Sequence, residues 1–187
     1  MDVRDAILLL VEEENGGQIV GRTLLQKKAY FVSVLVGEDF FFRPHYYGPY
    51  SQTVADAVDS LVANGFLHER VETFSEEANA FGERRRHSYI LTSDGREIAQ
   101  RVLEQPECQT WQAVMARINN APVGKDFYLL SIAAKIHVIL KVLGRAKESE
   151  IKRKAKEYGW DVGEVDMNKA SDFLVNDLKL LTVSKRP

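Results

Sequence analysis

The sequence predicts a mainly α-helical protein with a small antiparallel β-hairpin. In this α+β class, a winged helix-turn-helix is followed by a helical C-terminal lobe. Apolar residues recur at helical spacing through most of the chain, and glycines close several of the periodic stretches. Two strand-like runs, "FLHERVETF" and "RRRHSYILT", flank one polar connection, "SEEANAFGE". Three helical stretches precede that ribbon, which is the order of a winged helix.

The first helix spans residues 2–14, with Val3, Ile7, Leu10 and Val11 on one stripe, and "NGGQIVG" at 15–21 breaks it. The second is expected to begin after Thr23, because Thr23 and Gln26 fit a capping box; Gly37 ends it. Next comes "DFFFRPHYY", an extended aromatic arm. Alternation sets Phe40, Phe42 and Tyr46 against Phe41, Arg43, His45 and Tyr47, and Pro44 confines the arm to a sheet edge. Gly48 supplies a turn and Pro49 suits the first turn of a helix, so "HYYGPYS" is expected to be a corner aiming the third helix. Val54, Val58, Leu61 and Val62 form that helix's buried stripe, and Gly65 stops it. After the ribbon, Thr92 or Ser93 caps a helix to about Leu103, closing a domain over 1–105.

Residues 106–187 are expected to be a helical lobe. Its helices centre on Trp111 to Ile118, on an apolar stretch at 126–143, on a charged stretch at 147–158 and on 167–180. "DSLVANGFLHERV" and "DFLVNDLKLLTVSKR" echo one another, which predicts a second, wingless three-helix unit.

With 25 basic and 27 acidic residues, a net charge of −2 advertises no polyanion partner for the whole surface, so a nucleic-acid reading rests on local patches. Cys108 is the lone cysteine, so no intrachain disulfide forms; with no export signal, a cytoplasmic location is expected. No apolar run is long enough to insert in a membrane. His45, His68, His87 and His137 are scattered without ligand spacing, and there is no phosphate-cradling loop or nucleophile elbow. Neither catalytic residues nor a metal or cofactor are therefore expected.

Over "GRTLLQKKAYF…FRPHYYGPYSQTVADAVDSLVANGFL" the chain resembles the YwgA-like family. It is more distantly similar to the Panacea-domain (SocA-like) antitoxins, which share a Leu-Gln-Lys helix followed by an aromatic Gly-Pro turn. Here those elements are Leu25-Gln26-Lys27 and Tyr47-Gly48-Pro49-Tyr50-Ser51. The resemblance implies a winged-helix-like core with extra helices and no established enzymatic activity. Panacea proteins neutralise partner toxins, a role that does not transfer residue by residue.

Two partner classes follow. For double-stranded DNA, a basic wing of Arg84, Arg85 and Arg86, with Arg22, Lys27 and Lys28 near the second helix, would meet phosphates. Gln52 and Thr53 would face base edges. Against this, Asp56 and Asp59 fall on the same reading face with the wrong sign. For a protein partner, the arm offers Phe41, Arg43, His45, Tyr47 and Tyr50, since rigid rings bury area at low entropic cost. The same surface would serve a homodimer. Arg43, His45 and Tyr47 on one face are read either as an anion contact or as an edge arm packed on the helices.

Overall fold

The structure, a computed structural model, describes residues 1–14, 16–73 and 85–180. The protein is mainly α-helical with a small antiparallel β component. Helix α1 (Val3–Glu12) opens on Asp2, whose side chain accepts the Arg4 amide hydrogen. Ala6 to Val11 are all buried, so α1 is a core helix and not a one-sided surface helix.

Strand β1 (Gln18–Val20) lies in the segment expected to be a plain break. It forms because β5 (Arg85–Leu91) would otherwise leave one edge unpaired, with β4 (Leu67–Thr73) on the other. The order β1-β5-β4 is antiparallel throughout, with Ile19 and Glu69 opposite Tyr89.

Helix α2 (Arg22–Val36) starts earlier than expected, on Gly21, with no side-chain cap. The Thr23–Gln26 capping box does not form, because Gln26 turns inward to bond Ser51. After Gly37, Asp39 Oδ1 accepts the Phe41 amide at 2.8 Å and Phe41 sits at φ 58°. That left-handed residue interrupts the expected alternation. Only a short hairpin remains, β2 (Arg43–His45) against β3 (Gly48–Tyr50). Pro49 therefore lies in a strand and not in a helix. Helix α3 (Gln52–Ala63) begins after Ser51, whose Oγ accepts the Val54 amide at 3.1 Å.

Thr92 caps α4 (Ser93–Leu103) through the Gly95 amide. Then follow α5 (Cys108–Asn120), the short α6 (Pro122–Lys125), α7 (Phe127–Leu143), α8 (Glu148–Glu157) and α9 (Glu164–Asp172). The chain ends its last helix in a π-helical turn, Phe173–Asp177, so the stretch expected to be helical from 167 starts earlier and changes pitch. The tail of the internal echo, 181–187, lies outside the described residues.

One continuous hydrophobic cluster runs from Ala6 to Leu178. Helix α2 packs on α5 and α7, and the Phe31 ring meets Phe173 edge-on at 5.7 Å. The described residues on either side of position 105 thus share a core. No single helix among the described residues is long and apolar enough to cross a membrane.

Candidate functional site

A hairpin of two three-residue strands has too little surface to hold its own shape, and here interior side chains hold it. The His45 carbonyl accepts from Trp160 Nε1 at 2.7 Å, and the Tyr47 carbonyl from Ser131 Oγ at 2.6 Å. Lys27 Nζ donates to the Pro49 carbonyl at 2.6 Å. The Gln26 carboxamide pairs with Ser51 in both directions, accepting from its amide and donating to its carbonyl, each at 3.0 Å. Ser51 Oγ in turn donates to the Phe40 carbonyl. The two short sequence motifs are therefore the two halves of one lock. Gly48 completes it: at φ 99°, a side chain there would be strained and its Cβ would press Lys135 Cγ at 3.1 Å and Lys27 Cε at 3.4 Å.

What the lock presents outward is aromatic. Tyr46 is 77% exposed at the hairpin tip, its ring edge-on to Tyr47 at 5.3 Å. Phe41 is 62% exposed, and Arg43 and His45 are exposed as well. Tyr47 and Tyr50 are half-buried, and the Tyr50 ring lies 5.0 Å from His45.

Behind the hairpin run two cavities, about 310 and 280 Å³, that share Arg22, Gln26, Tyr50 and Gln52 as walls. The larger adds Thr23, Lys27, His45 and Tyr47. The smaller adds Asp59, Glu69, His87 and Tyr89. His87 Nδ1 is 2.7 Å from Glu69 Oε1. Burial alone would raise the Glu69 carboxyl, but hydrogen bonds from His87 and Tyr89, with the charge of Arg22, outweigh it and hold the group below its ordinary value. An ionised carboxylate only accepts, so Nδ1 carries the proton. That leaves His87 Nε2 buried and without a partner among the described residues.

Lys27 is 2% exposed, and burial, reinforced by Lys135, lowers its ammonium from 10.5 to about 7. Lys135, 5% exposed, is lowered by burial too, partly countered by Asp161. Between pH 7 and 10.5 the unfolded chain holds a proton on Lys27 that the folded chain does not. Stability is therefore expected to rise with pH across that window and to be lowest, from this group, below 7. Denaturant titrations of Lys27→Met across the same window should show a flatter slope than wild type. An unchanged slope would mean that the Lys27 amine is not the group responsible.

The sequence-predicted DNA contacts scatter. Arg22 is exposed at the cavity mouth, whereas Lys27 points inward, because its amine is the partner of a hairpin carbonyl. Lys28 is also buried, bonded to Glu14 and to Asn119 Oδ1. Gln52 is exposed, but its amide donates to Asp56 at 2.7 Å; Thr53 is half-buried. Arg84 lies outside the described residues. Arg85 is exposed, and Arg86 is paired with Glu72 at 2.7 Å. Trp160, Ser131 and Lys135 escaped sequence reasoning: Ser131 and Lys135 sit on α7 and Trp160 follows the end of α8, with no local pattern tying any of them to the hairpin. Among the described residues no three His, Cys, Asp or Glu side chains gather as metal ligands do. Compared with known protein families and with curated proteins, the chain matches none.

Proposed function

We propose that this chain is a non-enzymatic interaction module that docks a protein partner on its aromatic hairpin, as an antitoxin or a subunit of a regulatory assembly would. The observation that carries the reading is the contrast between the hairpin's two sides. Its backbone is bonded by Gln26, Lys27, Ser131 and Trp160, while Phe41 and Tyr46 stand in solvent. A pre-organised loop loses little entropy on binding, and exposed rings are the usual anchors of an interface. Asp56 and Asp59, exposed on α3 next to Tyr50, add an acidic flank that suits a basic rim on the partner.

The test is co-purification from cells that make the protein, with crosslinking from position 46. Wild type and Arg85→Glu should retain the partner, and the double variant Phe41→Ser, Tyr46→Ser should lose at least about tenfold in affinity while keeping its thermal transition. A partner retained by the double variant removes the hairpin from the account.

Double-stranded DNA is the second reading, favoured by the β1-β5-β4 sheet behind α3, by exposed Arg85 and by Arg22. It is the weaker one. Arg86 is neutralised by Glu72, Lys27 is buried, and two carboxylates share the outer face of α3. A salt-dependent gel shift abolished by Arg85→Glu and Arg22→Glu together would reverse this order.

A further inference from the structure

We propose that the larger cavity, between α2 and the hairpin, is a binding site for a small molecule bearing a phosphate group. Its walls carry the cationic or proton-accepting groups of Arg22, Lys27 and His45, and no carboxylate lines it among the described residues. Thr23 adds a hydroxyl donor to the same space, while the Tyr50 hydroxyl and the Gln52 amide there already donate to Gln52 and Asp56.

Lys27 is the reason to expect a ligand. A lysine ammonium has three donors, and the hydrogen bond found here goes to a neutral carbonyl, that of Pro49. Among the described residues no carboxylate stands within ion-pair distance of it. A second buried lysine, Lys135, lies close by, since a Cβ placed at Gly48 would meet both side chains. The Lys135 charge disfavours that of Lys27, and Asp161 acts on Lys135 and not on Lys27. A dianion in the cavity supplies the missing counter-charge, with Arg22 as the planar fork at its mouth. Nearly full burial of the Lys27 amine puts it beyond a DNA backbone, whereas a space of about 310 Å³ takes a phosphate group with room for a small substituent. The Asp59 and Glu69 carboxylates line the adjoining cavity, which confines the anion to the hairpin end. This inference is independent of the docking reading, which concerns the outer face of the hairpin.

Calorimetry of the full chain with inorganic phosphate near neutral pH, at constant ionic strength, tests it. Saturable binding is expected, weakened about tenfold or more by Arg22→Ala and by Lys27→Met, each of which removes a charge-assisted hydrogen bond. Asp56→Asn, on the exposed face of α3, should leave binding at wild-type strength or tighten it slightly. Arg22 is a surface residue, so its variant answers even if Lys27→Met fails to fold. Tighter binding of glycerol phosphate assigns a phosphomonoester, and the reverse order assigns free phosphate; both uphold the site. Binding that chloride reproduces, that is untouched by Arg22→Ala, or that appears with a short DNA duplex and not with phosphate overturns it.

Discussion

Replacing Gln26 by leucine is expected to lower the stability of this protein by about 3 kcal/mol, although the new side chain is apolar, similar in size and placed in a core. The Ser51 carbonyl keeps one partner, the Ala55 amide at 3.2 Å, but the Ser51 amide loses its acceptor in a fully buried position. A buried donor left unmade carries its whole desolvation cost, and that outweighs what leucine gains by burial. For a chain of this size the transition should fall by roughly 6–12 °C. The denaturant midpoint should shift without a change in slope. A fall of only a few tenths of a kcal/mol, or a rise, would mean the hairpin does not depend on this pair.

The second large effect has a sign that helix propensity gets wrong. Ala replaces Gly favourably in most helix interiors, by up to about 1 kcal/mol. Gly95→Ala in α4 should instead cost about 3 kcal/mol, because the added Cβ would overpack a closed contact. That carbon would stand 1.9 Å from the Phe66 carbonyl oxygen and 3.0 Å from Leu91 Cδ2. Backbone cannot rotate aside as a flexible side chain can, so α4 must retreat. Its retreat would pull Thr92 from the bonds it makes to the Gly65 and Phe66 carbonyls at 2.8 and 3.2 Å. Equilibrium unfolding of the variant decides the matter, and a stabilised Gly95→Ala would show that the approach of α4 to Phe66 is looser than described.

Both effects bear on how α3 and the hairpin are held. Gln26 anchors the start of α3 at Ser51, and Gly95 lets α4 close on Phe66, just past the helix end. Loss of either should loosen the groove bordered by Arg22, Tyr50 and Gln52 before it unfolds the whole chain.

Much of this architecture was legible along the chain. Apart from the short α6, which lies where "NNAPVG" reads as a helix end, the helices were readable from their apolar spacing, and the ends of α2 and α3 from Gly37 and Gly65. The β4–β5 pair was readable from two strand-like runs around a polar connection. The exposure of Gln52, Asp56 and Asp59 followed from the same periodicity. The candidate site was legible only in outline. "LQK" and "YGPYS" stood out as motifs, yet nothing near them said that one binds the other. Lys27 and Lys28 read as surface cations because lysine is almost never fully buried. β1 passed for a glycine break, and Phe41 passed for a strand residue although Asp39 turns the backbone there.

Local order needed nothing from afar: a helical hydrogen bond closes within a single turn, so neighbouring residues specify it through periodicity and caps. The direction of a polar side chain is another matter, because its partner is chosen by packing across the chain. Gln26 meets Ser51 from 25 residues away, Ser131 meets Tyr47 from 84, and Trp160 meets His45 from 115. A carbonyl that must be satisfied inside a low-dielectric core draws whichever donor folding brings within reach. That is why helix positions could be read in advance, and why the hairpin lock and its buried lysines came into view only once the helices were packed together.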